Sequence, residues 1–382
     1  MEPDKKPFPL GLTFDDVLLI PNYAGFSRSD ISLETNLTKK IKLSIPFVSS
    51  PMDTVTDSRL AISLAEIGGI GIIHRNMTIP DQAQDVKRVK DKKLLAGAAI
   101  GASKGFEDRV EALVRAGVDV VVVDSAHGYS KGVIDTVSFI KKKYGNVQVV
   151  AGNVSTYDGA KAMIAAKADA IRVGMGPGAI CTTRIISGMG IPQMTAIFET
   201  YRAAKKAGVP IIADGGIKYS GDMVKALAAG ASCVMMGNYF AAAIEAPGNV
   251  LSLSADQVPS KFKNVLRANA KSYKFKQYRA MGSIGAMKEG ARIKSEDEFH
   301  GKSYKDRVMV AEGVEALIPV KGTAKEIVDQ AIGGIRSGMY YVGVKNIKEL
   351  WGKAKFIQIT QASLTESHPH SIFITNPGKN YD

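Results

Sequence analysis

From about residue 45 the chain alternates between short apolar runs and longer stretches with an amphipathic helical period. Before that, Leu12-Thr-Phe-Asp-Asp-Val-Leu-Leu-Ile20 reads as an extended segment stopped by Pro21-Asn22. The apolar runs span 45–50, 70–73, 94–100, 118–123, 147–151, 168–173, 209–213 and 232–236. Helices are predicted between several of them, over 57–67, 81–89 and 106–116 among others. The runs are continuous rather than alternating, as in parallel strands covered on both faces; 118–123 is almost pure valine. Eight such units predict an α/β chain folded as a closed (β/α)8 barrel. A doubly wound open sheet is the alternative. It would want a glycine-rich dinucleotide turn after an early strand, and none is there.

Beyond the eighth unit the period fades. The stretch 278–310 is rich in Lys, Glu, Asp and Gly, and is expected to be a mobile excursion serving as a lid over the barrel mouth, with the flap at 283–311. Apolar order returns at Gly313-Val-Glu-Ala-Leu-Ile318, followed by a helix over 324–335 and a tail carrying Glu366-Ser-His-Pro-His370. The expectation is one catalytic barrel domain over residues 1–382.

Composition narrows the function classes. With 382 residues, 45% of them hydrophobic, the chain can bury a large core, and no run approaches the ~20 apolar residues of a membrane span. The start, 1–9, is charged and proline-containing, without a signal-peptide core. Two cysteines make no disulfide framework, so a reduced, cytoplasmic setting is expected. The net charge is +13, but the basic residues are scattered, with Lys141-Lys-Lys143 the longest run; this suits small anionic ligands better than nucleic acid. His368 and His370 have no third ligand at a metal-binding spacing, and His74 and His127 read as packing or substrate contacts.

In a barrel of this kind the strand C-terminal ends share one mouth, where the chemistry sits. Those ends supply Ser50, Asp53, Asp124, Asn153, Cys181, Thr183, Asp214, Gly215-Gly216 and Gly237-Asn238. The stretch Arg172-Val-Gly-Met-Gly-Pro-Gly-Ala-Ile-Cys-Thr-Thr-Arg184 stands out, because its alternating glycines let backbone or ligand approach a potential nucleophile, Cys181. Ala179 and Ile180 suit a loop folded against something else. The glycines after strands seven and eight suit a phosphate cradle of backbone N–H groups.

Together with Ser50-Pro-Met-Asp-Thr-Val55, Gly69-Ile-Gly-Ile-Ile-His-Arg-Asn76 and Asp124-Ser-Ala-His-Gly128, these stretches resemble the IMP dehydrogenase / GMP reductase family over essentially the whole chain. The match is closer to the dehydrogenases at Ile191-Pro-Gln193, at 213–222 and at Tyr278-Arg-Ala-Met-Gly-Ser283. The resemblance implies a homotetramer that oxidises IMP to XMP with NAD+. Cys181 would attack C2 of the base, and Thr183 and Glu312 would relay a proton. It implies that Ser50, Asp214, Gly215, Gly216, Gly237, Asn238 and Tyr278 hold ribose and phosphate, and that Met281, Gly282 and Glu312 hold the base. Asp124, Ser125, Asn153 and Gly174 would face the nicotinamide. Gly176, Gly178 and Cys181, with Glu366, Ser367 and His368 of a neighbouring subunit, would bind K+.

The chain departs from the family pattern in several places. The CBS modules usually inserted after the second unit are missing near 90–94, where Val86-Lys-Arg-Val-Lys-Asp-Lys-Lys-Leu-Leu95 runs straight on. Ala179 and Asn238 stand where serine is usual, implying weaker IMP binding. The water-activating Arg-Tyr pair of the dehydrogenase lid has no counterpart at Asp297-Glu-Phe-His300, with Tyr304 and Arg307 nearby but not adjacent. This keeps an NADPH-dependent GMP reductase and a catalytically impaired nucleotide-binding relative as alternatives.

Overall fold

The strand 120–124 shows how the barrel is built. Val120 and Val122 belong to a cluster inside the ring of strands, while Val121 and Val123 pack outward under the helices. A two-residue side-chain period turns an all-valine run into one residue for the interior, then one for the helix layer. The computed structural model describes residues 8–266, 270–293, 309–372, 374, 375 and 378.

Eight parallel strands close the ring: β1 (Phe47–Ser49), β2 (Ile70–Ile73), β3 (Gly97–Ile100), β4 (Val120–Asp124), β5 (Gln148–Val154), β6 (Ala170–Val173), β7 (Ile211–Asp214) and β8 (Cys233–Met236). Closure comes from β8 pairing with β1, Val234 opposite Phe47, so the open-sheet alternative is excluded. The outer layer is α1 (Ser58–Glu66), α2 (Ile79–Asp91), α3 (Phe106–Arg115), α4 (Lys131–Lys143), α5 (Tyr157–Ala165), α6 (Gln193–Ala207), α7 (Ser220–Ala228) and α8 (Ala324–Val342). Local signals set their ends: Asp57 accepts from the N–H groups of Arg59 and Leu60, and Thr323 and Glu326 form a capping box that starts α8. α8 buries Ile327, Val328, Ala331, Ile335 and Met339, along one face of its helical period.

The interior is filled by Val48, Ile70, Ile72, Val120, Val122, Val150, Ile212 and Met235 among others, and it is plugged at the N-terminal rim by Leu37 and Leu43. Those two leucines come from a small hairpin, Thr35–Asn36 with Lys42–Leu43, whose Thr38 hydroxyl donates to Gln148 Oε1 at 2.9 Å. With that end shut, only the opposite rim is left for a ligand.

Several expectations need correction. The segment 12–20 is not one extended piece: a 3-10 turn, Phe14–Asp16, precedes a short strand, Val17–Leu19, paired with Phe356–Gln358. The stretch after β8 is not structureless. Val250–Leu253, Tyr273–Arg279 and Glu315–Pro319 form an antiparallel sheet with Tyr273–Arg279 in the middle, and Ile284–Arg292 is a helix capped by Ser283. The strand escaped notice because Lys274, Lys276 and Arg279 break its apolar pattern, although Lys276 is buried. The rest of the expected flap, 294–308 with Tyr304 and Arg307, lies outside the described residues. Between α2 and β3 the chain has only residues 92–96, so no module is inserted there.

His74, at the end of β2, is buried, and burial lowers its pKa from 6.5 to about 4. The folded state therefore holds the neutral ring while the unfolded chain takes up a proton. The stability this represents, up to about 3 kcal/mol, is complete above the unfolded value and lost as pH falls toward the folded one. Thermal unfolding followed at about pH 7 and about pH 4.5 should show a large acid loss that shrinks in His74→Leu.

Candidate active site

Cys181 is half-buried at the barrel mouth, after β6. Its Sγ lies 3.3 Å from Thr183 Oγ1, and that hydroxyl donates to Glu312 Oε2 at 2.8 Å. Thiol, hydroxyl and carboxylate thus form a line along which a proton can pass, although 129 residues separate Thr183 from Glu312.

Two backbone ladders fix that line. Thr182 N–H donates to Glu312 O at 2.9 Å and Val314 N–H to Ile180 O at 2.9 Å, which sets Cys181 directly opposite Gly313. On the far side, Glu312 N–H donates to Gly282 O at 3.1 Å and Ala280 N–H to Val314 O at 3.1 Å. Gly313 is therefore clamped between two segments. A Cβ there would lie 2.2 Å from the Cβ of Ala280, so no side chain is tolerated. Ile180 is buried as expected, whereas Ala179 is exposed.

Beside the cysteine loop lies a charged cluster. Arg172, from β6, donates through Nε to Asp214 Oδ2 at 2.9 Å and pairs through Nη1 with Asp124. Burial works against the guanidinium charge, but the two aspartates outweigh it and push its pKa above the usual range. Asn153 Nδ2 donates to the same Asp214 oxygen at 2.9 Å and to Gly174 O at 2.8 Å. Gln193, at the start of α6, donates to Val173 O and Asp214 O, each at 3.0 Å. Gly174 has φ +144°, and a Cβ there would sit 2.2 Å from Asp214 O; this contact holds the loop to the end of β7. Ser125 is tied in by its N–H to Gly152 O at 3.1 Å and by Asn153 N–H to its own carbonyl at 2.7 Å.

The remaining expected residues surround the same mouth. Pro177 packs on Gly215 and Gly216, and the Tyr278 hydroxyl comes up against Gly237 together with Met52 Sδ. Burial raises the Tyr278 pKa, and the charge of Asp214 adds to it, so the phenol stays protonated. Ser50 is buried, its N–H on Met236 O at 3.1 Å. Asn238 opens a short helix, Asn238–Ala241, whose first N–H groups have no preceding turn to accept them. Met281 Sδ accepts from Asp53 N–H at 3.4 Å. In the tail, His368 rests on the Tyr219 ring at 6.2 Å. Cys233 lies inside the barrel, where burial pushes its thiol far up.

Arg172, Gln193 and Arg184 are structural members of the site that their residue types alone did not assign. Arg184 donates to Met175 O at 3.3 Å and to Ile191 O at 2.7 Å, holding the loop from outside. The available signal was a charged residue interrupting an otherwise apolar strand, Ala170–Val173.

Two fits can be tested on the chain itself. The buried Asn153 Oδ1 has no donor among the described residues, and it suits an amide N–H such as that of a nicotinamide. In the ladder around Cys181, the residue's own carbonyl takes no part, its N–H turning back to Gly178 O at 3.1 Å. Hard carbonyl oxygens suit a monovalent cation. No group of three or more His, Cys, Asp or Glu that could hold a metal is present among the described residues.

The family model for the IMP dehydrogenase / GMP reductase domain matches residues 11–370. The chain is 40% identical to the inosine-5'-monophosphate dehydrogenase of Aquifex aeolicus over 499 aligned positions, covering 97% of each chain. It is 42% identical to that of Cryptosporidium parvum over 414 positions, covering 97% of this chain and 98% of the relative. Against that of Borreliella burgdorferi it is 41% identical over 412 positions, covering 95% and 97%. The Aquifex alignment is far longer than the 382 residues here, as it must be if that relative carries an insertion. With a cysteine–threonine–glutamate line at the rim of a closed eight-stranded barrel, and near-complete coverage at this identity, the chain belongs to the IMP dehydrogenase / GMP reductase family.

Proposed function

We propose that the chain is an NAD+-dependent IMP dehydrogenase, converting IMP, NAD+ and water to XMP, NADH and a proton. The observation that carries this reading is the Cys181–Thr183–Glu312 line at the open rim of the barrel. The names of the three relatives support it over GMP reduction.

In this mechanism the Cys181 sulfur bonds to C2 of the hypoxanthine ring, making that carbon tetrahedral and able to release its hydrogen as hydride. Bound NAD+ supplies the hydride acceptor. Water then attacks C2 and the C–S bond breaks, returning the thiol and leaving the oxygen of XMP. Thr183 and Glu312 would take a proton in one step and return it in another, a role their hydrogen bonds support. Asp214 and Tyr278, with Ser50, are proposed to hold the ribose and phosphate. The N–H groups at Gly215, Gly216, Gly237 and Asn238 would face the phosphate oxygens. Met281 and Gly282 would grip the base, and Asp124, Ser125, Asn153 and Gly174 the nicotinamide side. The carbonyls of Gly176, Gly178 and Cys181, with Glu366, Ser367 and His368 of a second subunit in a homotetramer, would hold K+. A cytoplasmic setting fits this chemistry, and no helix among the described residues is long and apolar enough to cross a membrane.

Reduced cofactor should accumulate when the protein is mixed with IMP and NAD+, but not with Cys181→Ala. Loss of activity of at least about a thousandfold is expected from removing the nucleophile. GMP with NADPH should yield no ammonia; ammonia release without IMP oxidation would instead make the chain a reductase. Exchanging K+ for Li+ should lower turnover, and return of K+ should restore it, because a smaller cation gives up its water less readily to carbonyl ligands. Turnover that is indifferent to the exchange would remove the cation from the proposal.

A further inference from the structure

Asp53 lies in the mouth loop after β1, and its side chain is only 6% exposed, yet it is given no place in the chemistry above. Its carboxylate is already held by two side chains. Arg279 reaches it through Nε at 3.1 Å to both oxygens and through Nη2 at 2.6 Å to Oδ2, and Asn76 Nδ2, from the loop after β2, adds a bond at 2.8 Å. A carboxylate held this way, and this little exposed, is oriented by the protein rather than left free for a ligand.

The same loop grips the next residues as well. Thr54 Oγ1 accepts from Arg279 N–H at 3.2 Å, and Asp53 N–H donates to Met281 Sδ at 3.4 Å. Asn76 also donates to Ala286 O at 3.3 Å, at the start of the helix Ile284–Arg292. The exit of the strand Tyr273–Arg279 is thus bolted to two barrel loops immediately before Met281 and Gly282. Gly282 O in turn receives Glu312 N–H at 3.1 Å. A guanidinium–carboxylate fork fixes both distance and plane, as a single-point contact cannot. Burial keeps the His74 ring neutral, so it brings no second cation to Asp53.

We infer that Asp53 and Arg279 form a positioning pair that sets where Met281 and Gly282 meet the nucleotide base, without touching substrate themselves. This rests on the proposed reading of Met281 and Gly282 as base contacts. The pair would tune nucleotide affinity selectively, since among the described residues its side chains bond each other and Asn76, and not Asp124 or Asn153 on the nicotinamide side.

Steady-state kinetics and calorimetric IMP binding should be compared in the full chain, in Asp53→Asn, in Arg279→Lys and in the double variant. Each single change should raise KM and Kd for IMP about tenfold while leaving KM for NAD+ within about twofold. The double variant should be no worse than the poorer single, because the two side chains act as one unit. A merely structural pair would lower melting temperature and the active fraction, seen as reduced kcat with both KM values unchanged; that result overturns the inference. A parent that binds and oxidises IMP, with variants that retain its KM for IMP, overturns the inference alone. A parent that neither binds nor oxidises IMP overturns the functional reading and this inference with it.

Discussion

The mouth of this barrel depends on one buried cation. Arg172 projects from an otherwise apolar strand between two aspartates that would repel one another without it, and 9% side-chain exposure leaves it almost no water to share its charge with. Taking one arginine and two carboxylates out of water is costly unless each is paired and hydrogen-bonded. Asn153 and Gln193 complete the arrangement by bonding the same aspartate and the adjoining carbonyls. Asp124 ends β4, Arg172 sits in β6 and Asp214 ends β7, so the cluster ties together strands that do not all neighbour each other in the ring.

Around that cluster the Cys181–Thr183–Glu312 line is assembled from distant segments by backbone bonds. Residues 180–182, 312–314 and 280–282 lie side by side, each bonded to the next. Side-chain geometry at Cys181 is thereby set by main-chain pairing, which fixes position better than a free loop could. The antiparallel sheet above the mouth is the support for this: its central strand leads into 280–282, and its last strand, Glu315–Pro319, follows directly from 312–314.

The barrel was legible in the sequence because its strands are covered on both faces and so read as unbroken apolar runs. All eight strands fall within or next to those runs, and the closing pair Val234–Phe47 follows from their number. The polar ends of the strands were legible too, since a packed interior leaves such residues few other places. What stayed hidden has a common cause. Arg172, Asp53 and Arg279 pair with partners between 42 and 226 residues away, and no local period reports a contact of that range. Tyr273–Arg279 looked polar because Lys276 and Arg279 are satisfied by tertiary bonds, Lys276 Nζ by Ala243 O at 3.1 Å for one, and because Lys274 is exposed. Ala179 was misjudged from its apolar character alone; as a small side chain it can sit in solvent at little cost.

The placing of the second sulfur has a practical corollary. Cys233 is enclosed by the ring of strands, with its thiol held protonated, and the chain has only two cysteines. A thiol-specific electrophile offered to the native protein therefore finds a single accessible thiol per chain. The mass gained on labelling would count intact barrel mouths directly, and a second adduct would announce that the ring itself had opened.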